Sequence, residues 1–407
     1  MKNKINFCPV CGNKKNSNLF KIKKFPYFTI PLNVKDIKFI KSSSSLKYPY
    51  DDLSASNCNV CHHGFLSTIP NFKILDKLYS DYYNYPSPLK GTFVPVRDNN
   101  FIKVFIRNAE IKNLKKEKSK AFEIGCFDGY VLKKLQDRGF GVTGCDPSKG
   151  AKIGQKAGIK IIREFFDPNK KNYGKFDYVI ARHLIEHVIN PVKWLSDLKK
   201  VTKKNGKIFI ETPNINFFTK RGMPSVFTLQ HLHYFSKNSL SYLIEKVGLE
   251  VKKCEEIDDN LILIAEFKSK NRKKYKKDKK ESFSKFKINL FQSRKFVKKT
   301  LKKFDSLKGN VAVWGAGGFG GSCHLFWDFS VKKINFFIDS DRNKHGMKFS
   351  DSNASIISPQ SAKEKKIKLI LVASMYSEKI IKSIYHQGFS CRILSLYPKV
   401  ILKTRRT

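Results

Sequence analysis

Four sets of residues in this sequence have types and spacings that could do chemistry. Two Cys-x-x-Cys pairs, Cys8-Pro9-Val10-Cys11 and Cys58-Asn59-Val60-Cys61, each offer two thiolates from one tight turn. Four such thiolates complete a closed tetrahedral site of the kind that holds structural Zn2+. A redox pair or four unconnected thiols would share the spacing. A glycine turn, Glu123-Ile124-Gly125-Cys126-Phe127-Asp128-Gly129, follows a short apolar run. Its glycines would let the backbone approach a nucleotide closely, and Glu123 can meet the cationic end of an amino acid. Asp146 stands seventeen residues beyond Gly129 in Gly144-Cys145-Asp146-Pro147-Ser148, where a carboxylate can accept both hydroxyls of a ribose. The fourth set is histidines: His183 and His187 after an apolar run, and His231 and His233 in Gln230-His231-Leu232-His233-Tyr234. An imidazole titrating near neutrality suits removal of a proton from an acceptor.

These residues need elements to position them. From Lys120 to Phe267, β-rich runs alternate with amphipathic segments, the pattern of a parallel sheet covered by helices. The runs are 121–124, 141–145, 176–181, 207–211 and 261–267. Val131, Leu132 and Leu135 share a helix face closed by Gly139, and Val192, Leu195, Leu198 and Val201 mark another. A third helix is predicted after Ser236, with Leu240, Leu243, Ile244 and Val247 inward. Residues 1–90 have little helical periodicity and read as a module held by metal rather than by a core. Residues 91–267 form the α/β domain, 268–303 a basic, partly helical linker, and 304–407 a second α/β unit. That last unit opens with Val311–Trp314 and a Gly-x-Gly-x-x-Gly turn at Gly315, Gly317 and Gly320, with Asp339 nineteen residues on.

The chain has 407 residues, 41% of them hydrophobic, enough for two or three domains. No apolar run approaches the roughly 18–20 residues that cross a bilayer, and the start lacks a signal-peptide core, so a cytoplasmic protein is expected. A net charge of +46 could serve phosphate binding. Only 17 of the 80 Lys and Arg residues fall between Lys268 and Lys303, however, so the excess is spread over the chain and no specific nucleic-acid partner is expected. The charge fits acidic small substrates or proximity to anionic membranes. Either a monomer or a homodimer is compatible with the sequence.

The order Glu-x-Gly-x-x-x-Gly and then Gly-x-Asp-Pro-Ser, with Phe176 to Val188, Pro191, Gly206 and Glu211-Thr212-Pro213-Asn214, resembles the class I methyltransferase superfamily. An NAD-type Rossmann domain would carry Gly-x-Gly-x-x-Gly in the first turn, and Gly125-x-x-x-Gly129 does not. The resemblance implies S-adenosyl-L-methionine as donor, with Glu123, Gly125, Cys126, Phe127, Asp128, Gly129 and Asp146 around it. It also implies Phe165 at the adenine, Arg182 and His183 at the methionine end, and His187 on the acceptor side.

The double Cys-x-x-Cys head and the Rossmann-like tail resemble a narrower group, the sugar C-methyltransferases that act on nucleotide-linked sugars. Asp81 to Ser87, including Tyr83 and Tyr85, is similar to that group's tyrosine-containing joining segment. The resemblance implies transfer to a sugar for surface polysaccharide or glycosides, with Tyr83, His187 and His231 catalytic and Tyr85, Gln230, His233, Gly315, Gly317 and Gly320 toward the substrate. The tail turn admits three uses: nucleotide-sugar contact, a dinucleotide, or none. The group carries Tyr-x-Glu-His where this chain has Thr228-Leu229-Gln230-His231. Loss of that tyrosine and glutamate leaves C- and O-methylation both open.

Overall fold

The computed structural model describes residues 5–42, 50–82, 87–91, 95–109, 119–268 and 283–403. Tyr83 and Tyr85 lie outside these residues. The chain divides into two interleaved units, one of Met1–Ser17, Ser56–Phe217 and His231–Glu281, the other of Asn18–Ala55, Phe218–Gln230 and Ser282–Thr407.

The first unit is built on seven strands: β1 Lys120–Ile124, β2 Gly141–Cys145, β3 Ile161–Ile162, β4 Phe176–Arg182, β5 Thr202–Pro213, β6 Leu249–Ile257 and β7 Asn260–Phe267. Their spatial order is β6-β7-β5-β4-β1-β2-β3. The pairs among β1 to β5 are parallel, while β7 runs antiparallel to both β5 and β6. Ala121 through Ile124 are all buried, Glu123 included, so the central strand has no exposed face and shows no alternation.

The covering helices start and stop where their sequences dictate. Tyr130–Gln136 follows Gly129, whose φ of 77° few other residues tolerate, and buries Val131, Leu132 and Leu135. Pro191–Val201 starts with proline in its first turn and with the Asn190 side chain accepting from the Lys193 N–H. Lys237–Lys246 opens on a reciprocal cap between Ser236 and Ser239 and buries Leu240, Leu243 and Ile244. The two Cys-x-x-Cys turns share this core: Cys8, Val10, Cys58, Cys61 and Phe65 pack in one apolar cluster with Leu240, Leu243 and Leu263. Lys246 Nζ also donates to the Val10 carbonyl at 2.6 Å.

The second unit holds a six-stranded sheet in the order Ser355–Ile357, Phe336–Ile338, Asn310–Trp314, Ile367–Val372, Arg392–Ser395, Ile401–Lys403. Only the last strand is antiparallel. Two expectations change here. Asn18–Ala55 is not coreless, because Phe25, Tyr27, Phe28 and Leu53 are buried, and Phe20 and Phe25 meet Phe227, Phe286 and Phe326 edge-on or tilted. The basic stretch also ends in a longer structured element than a linker. Phe283–Asp305 is a 23-residue helix that buries Phe283, Phe286, Leu290, Val297, Leu301 and Phe304.

Candidate active site

In doubly wound sheets ligands bind beyond the carboxyl ends of the strands, where the strand order reverses. Here that point lies between β1 and β4, and the residues singled out in the sequence converge on it. The turn after β1 is held open by backbone geometry, with Gly125, Phe127 and Gly129 all at positive φ, 72°, 48° and 77°. Asp146, at the end of β2, fastens it: Oδ2 accepts from the Phe127 N–H and Oδ1 from the Ser148 N–H, both at 2.8 Å. Each oxygen is used once, so the carboxylate keeps lone pairs for further donors. Asp128 plays a supporting part, for its carboxylate takes the Ser87 hydroxyl at 2.6 Å and the N–H groups of Leu89 and Tyr130. Cys126 is buried and packs with Leu132, Ala151 and Ile161. Phe165 is exposed after β3, whereas Phe166 packs inward against Phe122 and Tyr173.

At the end of β4, Arg182 is the hub of a buried charge network. Its guanidinium meets Glu211 at 2.6 Å, Asp98 at 2.8 Å and Glu123 at 3.7 Å, and lies over the Phe101 ring at 4.7 Å. Burial works against its charge, but Glu211, Asp98 and Glu123 hold its pKa above the ordinary guanidinium value. Glu123 is held at about 8 by burial, against the pull of Arg182. Its Oε2 is buried and accepts no hydrogen bond from the described residues. A buried carboxylate oxygen without a donor is a place for an ammonium group, so this site fits the methionine end of an S-adenosyl-L-methionine.

The next turn carries the histidines. His183 sits at φ 48°, with Nδ1 3.4 Å from Glu186 Oε1. Burial, with Arg97 and Arg182 nearby, keeps it well below the usual histidine range and hence neutral. The Glu186 carboxyl is only 1% exposed and accepts from Thr212 Oγ1 at 2.9 Å. His187 Nδ1 pairs with the Tyr79 hydroxyl at 2.9 Å, and the His187 and His231 rings meet edge to face at 4.9 Å. His233 behaves differently. It is buried, pairing through Nδ1 with His63 at 3.1 Å and through Nε2 with the Val188 carbonyl at 2.9 Å. Both nitrogens are thus engaged, and the ring ties down the short strand His233–Tyr234, which pairs with Gly64–Leu66. Gln230 belongs to the second unit and donates to the Tyr27 carbonyl at 3.1 Å.

The four cysteines gather into one cluster. Cys8 and Cys61 Sγ lie 3.5 Å apart, as do Cys11 and Cys58, and all four sulfurs fall within 4.8 Å of one another. The S–S edge of a tetrahedral zinc thiolate site is about 3.8 Å. The Cys11 N–H points at Cys8 Sγ and the Val60 N–H at Cys58 Sγ, so backbone donors face the sulfurs that would carry negative charge. The donor set fits zinc.

In the second unit, Gly315 is at φ 108°, and a Cβ on Gly320 would overlap the Gly315 carbonyl oxygen. The helix Gly318–Phe326 therefore packs directly on the turn, with Gly317 as its N-cap. Asp339 is already engaged: Oδ2 takes the Ala316 N–H at 2.9 Å and Lys344 Nζ at 3.1 Å.

Glu186, Glu211 and Thr212 entered the sequence reading only as parts of a resembling stretch, with no role in the site, and Asp98 and Tyr79 did not enter it. For Glu186 a signal existed, since Arg182, His183, Glu186 and His187 crowd six residues after an apolar strand. For Asp98 and Tyr79, which come from remote segments, none did.

The fold and the turn after β1 define a methyltransferase domain, and residues 100–253 match that family. Residues 259–387 match the C-methyltransferase C-terminal domain. A ubiquinone biosynthesis O-methyltransferase of Pelagibacter ubique is 31% identical over 138 residues, 30% of this chain and 58% of that protein. The mitochondrial counterpart in Arabidopsis thaliana is 24% identical over 192 residues, 40% of this chain and 59% of that one. This chain thus spans less than two thirds of either relative. The solved magnesium protoporphyrin IX methyltransferase of Synechocystis PCC 6803 with bound SAH aligns at 13% identity and TM-score 0.37, over 49% of this chain and 100% of that one. Among the described residues no helix is long and apolar enough to cross a membrane.

Proposed function

We propose that this protein transfers the methyl group of S-adenosyl-L-methionine to a sugar, nucleotide-linked, in the making of a surface polysaccharide or glycoside. The observation that carries the proposal is the β1–β4 crevice. It combines a glycine turn clamped by Asp146 with a buried Glu123 oxygen awaiting a donor, in a chain that also has a C-methyltransferase C-terminal domain. The donor supplies an electrophilic methyl on a sulfonium. Gly125 to Gly129 receive its backbone-hugging portion, Glu123 its ammonium and Asp146 its ribose, with Phe165 against the adenine. Arg182 keeps the carboxylates of Glu123 and Glu211 in place.

On the acceptor side, the His187–His231 pair lies where the acceptor gives up its proton. The four cysteines hold a structural zinc ion that braces the start of the chain against the methyltransferase core. In the second unit, Gly315, Gly317 and Gly320 form a turn and helix N-terminus of the kind that receives a diphosphate.

Calorimetric titration of zinc-replete protein with S-adenosyl-L-methionine, its demethylated product and NAD tests the donor. Micromolar binding of the first two alone is the expected result; binding of NAD instead overturns the proposal. A screen of nucleotide-sugars with labelled methyl donor then tests the acceptor, and NMR of the product assigns the methyl to carbon or oxygen. His231→Ala is expected to lose turnover while keeping donor affinity.

A further inference from the structure

The turn after β4 leaves one feature that donor binding does not absorb. Glu186, His187 and His231 each present a ligand atom, and these atoms lie within 4.8 Å of one another. Each of the first two is also oriented from behind. The Tyr79 hydroxyl pairs with His187 Nδ1 at 2.9 Å, which leaves Nε2 facing Glu186 Oε1 at 3.9 Å. Thr212 Oγ1 donates to Glu186 Oε2 at 2.9 Å, which leaves Oε1 facing the histidines. That oxygen belongs to a side chain 1% exposed and accepts no hydrogen bond from the described residues. A buried carboxylate oxygen facing an oriented imidazole, with both groups braced by a second layer of hydrogen bonds, is the arrangement that precedes a bound cation.

We propose that Glu186, His187 and His231 form a second metal site, for a divalent first-row ion such as manganese(II), iron(II), cobalt(II) or zinc(II). Two imidazoles and one carboxylate suit these ions better than magnesium or calcium, which favour all-oxygen shells. Bonds of about 2.1 Å require ligand atoms about 3–3.4 Å apart, so side-chain rotations of about 1.5 Å close the set on the ion. Three protein ligands leave positions open to solvent or to oxygens of the acceptor.

The use of the site rests on the methyl-transfer proposal; the site itself does not. An ion there takes two adjacent oxygens of a sugar, a vicinal diol or hydroxyketone, and acidifies the bound hydroxyl. The hydroxyl proton goes to water, the alkoxide oxygen forms a bond to the methyl carbon, and the methyl–sulfur bond breaks with its electron pair left on sulfur. The sulfonium becomes a neutral thioether, so charge and atoms balance. This accounts for a chain with Thr228 and Gln230 where a tyrosine and a glutamate would otherwise polarise the acceptor.

The test is manganese(II) titration of the full-length, zinc-replete protein, followed by loss of the free-ion EPR signal. Manganese does not displace zinc from four thiolates, so the cysteine site stays filled. One ion bound per chain is expected, with at least about tenfold weaker binding in Glu186→Gln and in His231→Ala and a smaller loss in Tyr79→Phe. Retained binding of S-adenosyl-L-methionine serves as the check that each variant is folded. If Glu186→Gln does not fold, His231→Ala decides alone. A wild-type protein that binds no manganese or cobalt beyond its cysteine site, or variants that bind as tightly as wild type, overturns the proposal. Failure of this arm with donor binding intact leaves methyl transfer standing, and manganese binding without donor binding does the reverse.

Discussion

Replacing Arg182 with methionine removes the cation from a network of three carboxylates while keeping most of the side-chain volume. Asp98, Glu123 and Glu211 all face it, and Glu123 and Glu211 are 2% exposed. Breaking a buried ion pair by deleting one partner costs about 3–5 kcal/mol, because the other charges stay desolvated. In a unit of this size 1 kcal/mol moves Tm by about 2–4 °C, so Arg182→Met is expected to melt roughly 6–20 °C lower near pH 8. The deficit must shrink on acidification. Without the guanidinium the folded variant holds more protons on its carboxyls than the folded parent does, so its stability falls more steeply as pH rises. Thermal unfolding followed by circular dichroism at about pH 8 and pH 5.5 measures both effects. A variant within about 2 °C of the parent at pH 8, or a deficit equal at both pH values, refutes the network as a source of stability.

Glu123 and Glu186 have folded pKa values raised from 4.5 to about 8 by burial. The stability they contribute is therefore full below about pH 4.5 and lost as pH rises through about 8, so the unliganded protein should melt progressively lower between these limits. An ammonium docking on Glu123 draws off its proton, so donor affinity should rise by up to about tenfold per pH unit below 8, with proton release in calorimetry. Glu123→Gln should flatten that dependence; an unchanged slope removes Glu123 from the donor site. Chelation of zinc should release one ion per chain and lower Tm by at least about 10 °C, as loss of a folding-coupled metal does. An unchanged melting curve after metal loss, measured by atomic absorption, speaks against a structural role. Finally, a Cβ on Gly154 overlaps the Asp128 carbonyl oxygen and Ile161 Cδ1. Gly154→Ala should cost about 1–3 kcal/mol and weaken donor binding, and a donor affinity equal to wild type would show that the turn is not strained by this contact.

Much of the first unit was legible because its signals are local. The apolar runs, Gly139 and Ser236 each act within a few residues, and they mark strands, a stop and a cap where the structure has them. Each Cys-x-x-Cys turn is a local signal of the same kind, and the fold brings the two together. What escaped was carried by distance along the chain. Phe20 packs against Phe227, Phe286 and Phe326, so the apolar residues of Asn18–Ala55 form no local period and read as a coreless stretch. Asp98 and Tyr79 join the site from segments with no motif of their own. His231 and His233 look alike in sequence, yet one meets His187 and the other is consumed by His63 and Val188. Only the fold separates them.

The interleaving of the two units also sets an order of events during synthesis. The stretch Asn18–Ala55 emerges before the methyltransferase sheet, but its unit is completed only by Ser282–Thr407, after that whole sheet has been made. At translation rates of about 5–20 residues per second, Phe20 waits roughly 15–60 s for Phe286 and Phe326. During that interval Phe20, Phe25, Tyr27 and Phe28 are open to chaperones and to neighbouring nascent chains. Yield in a heterologous host should therefore follow chaperone supply and translation speed more closely than final stability, and cutting the gene at a single point cannot deliver either unit whole.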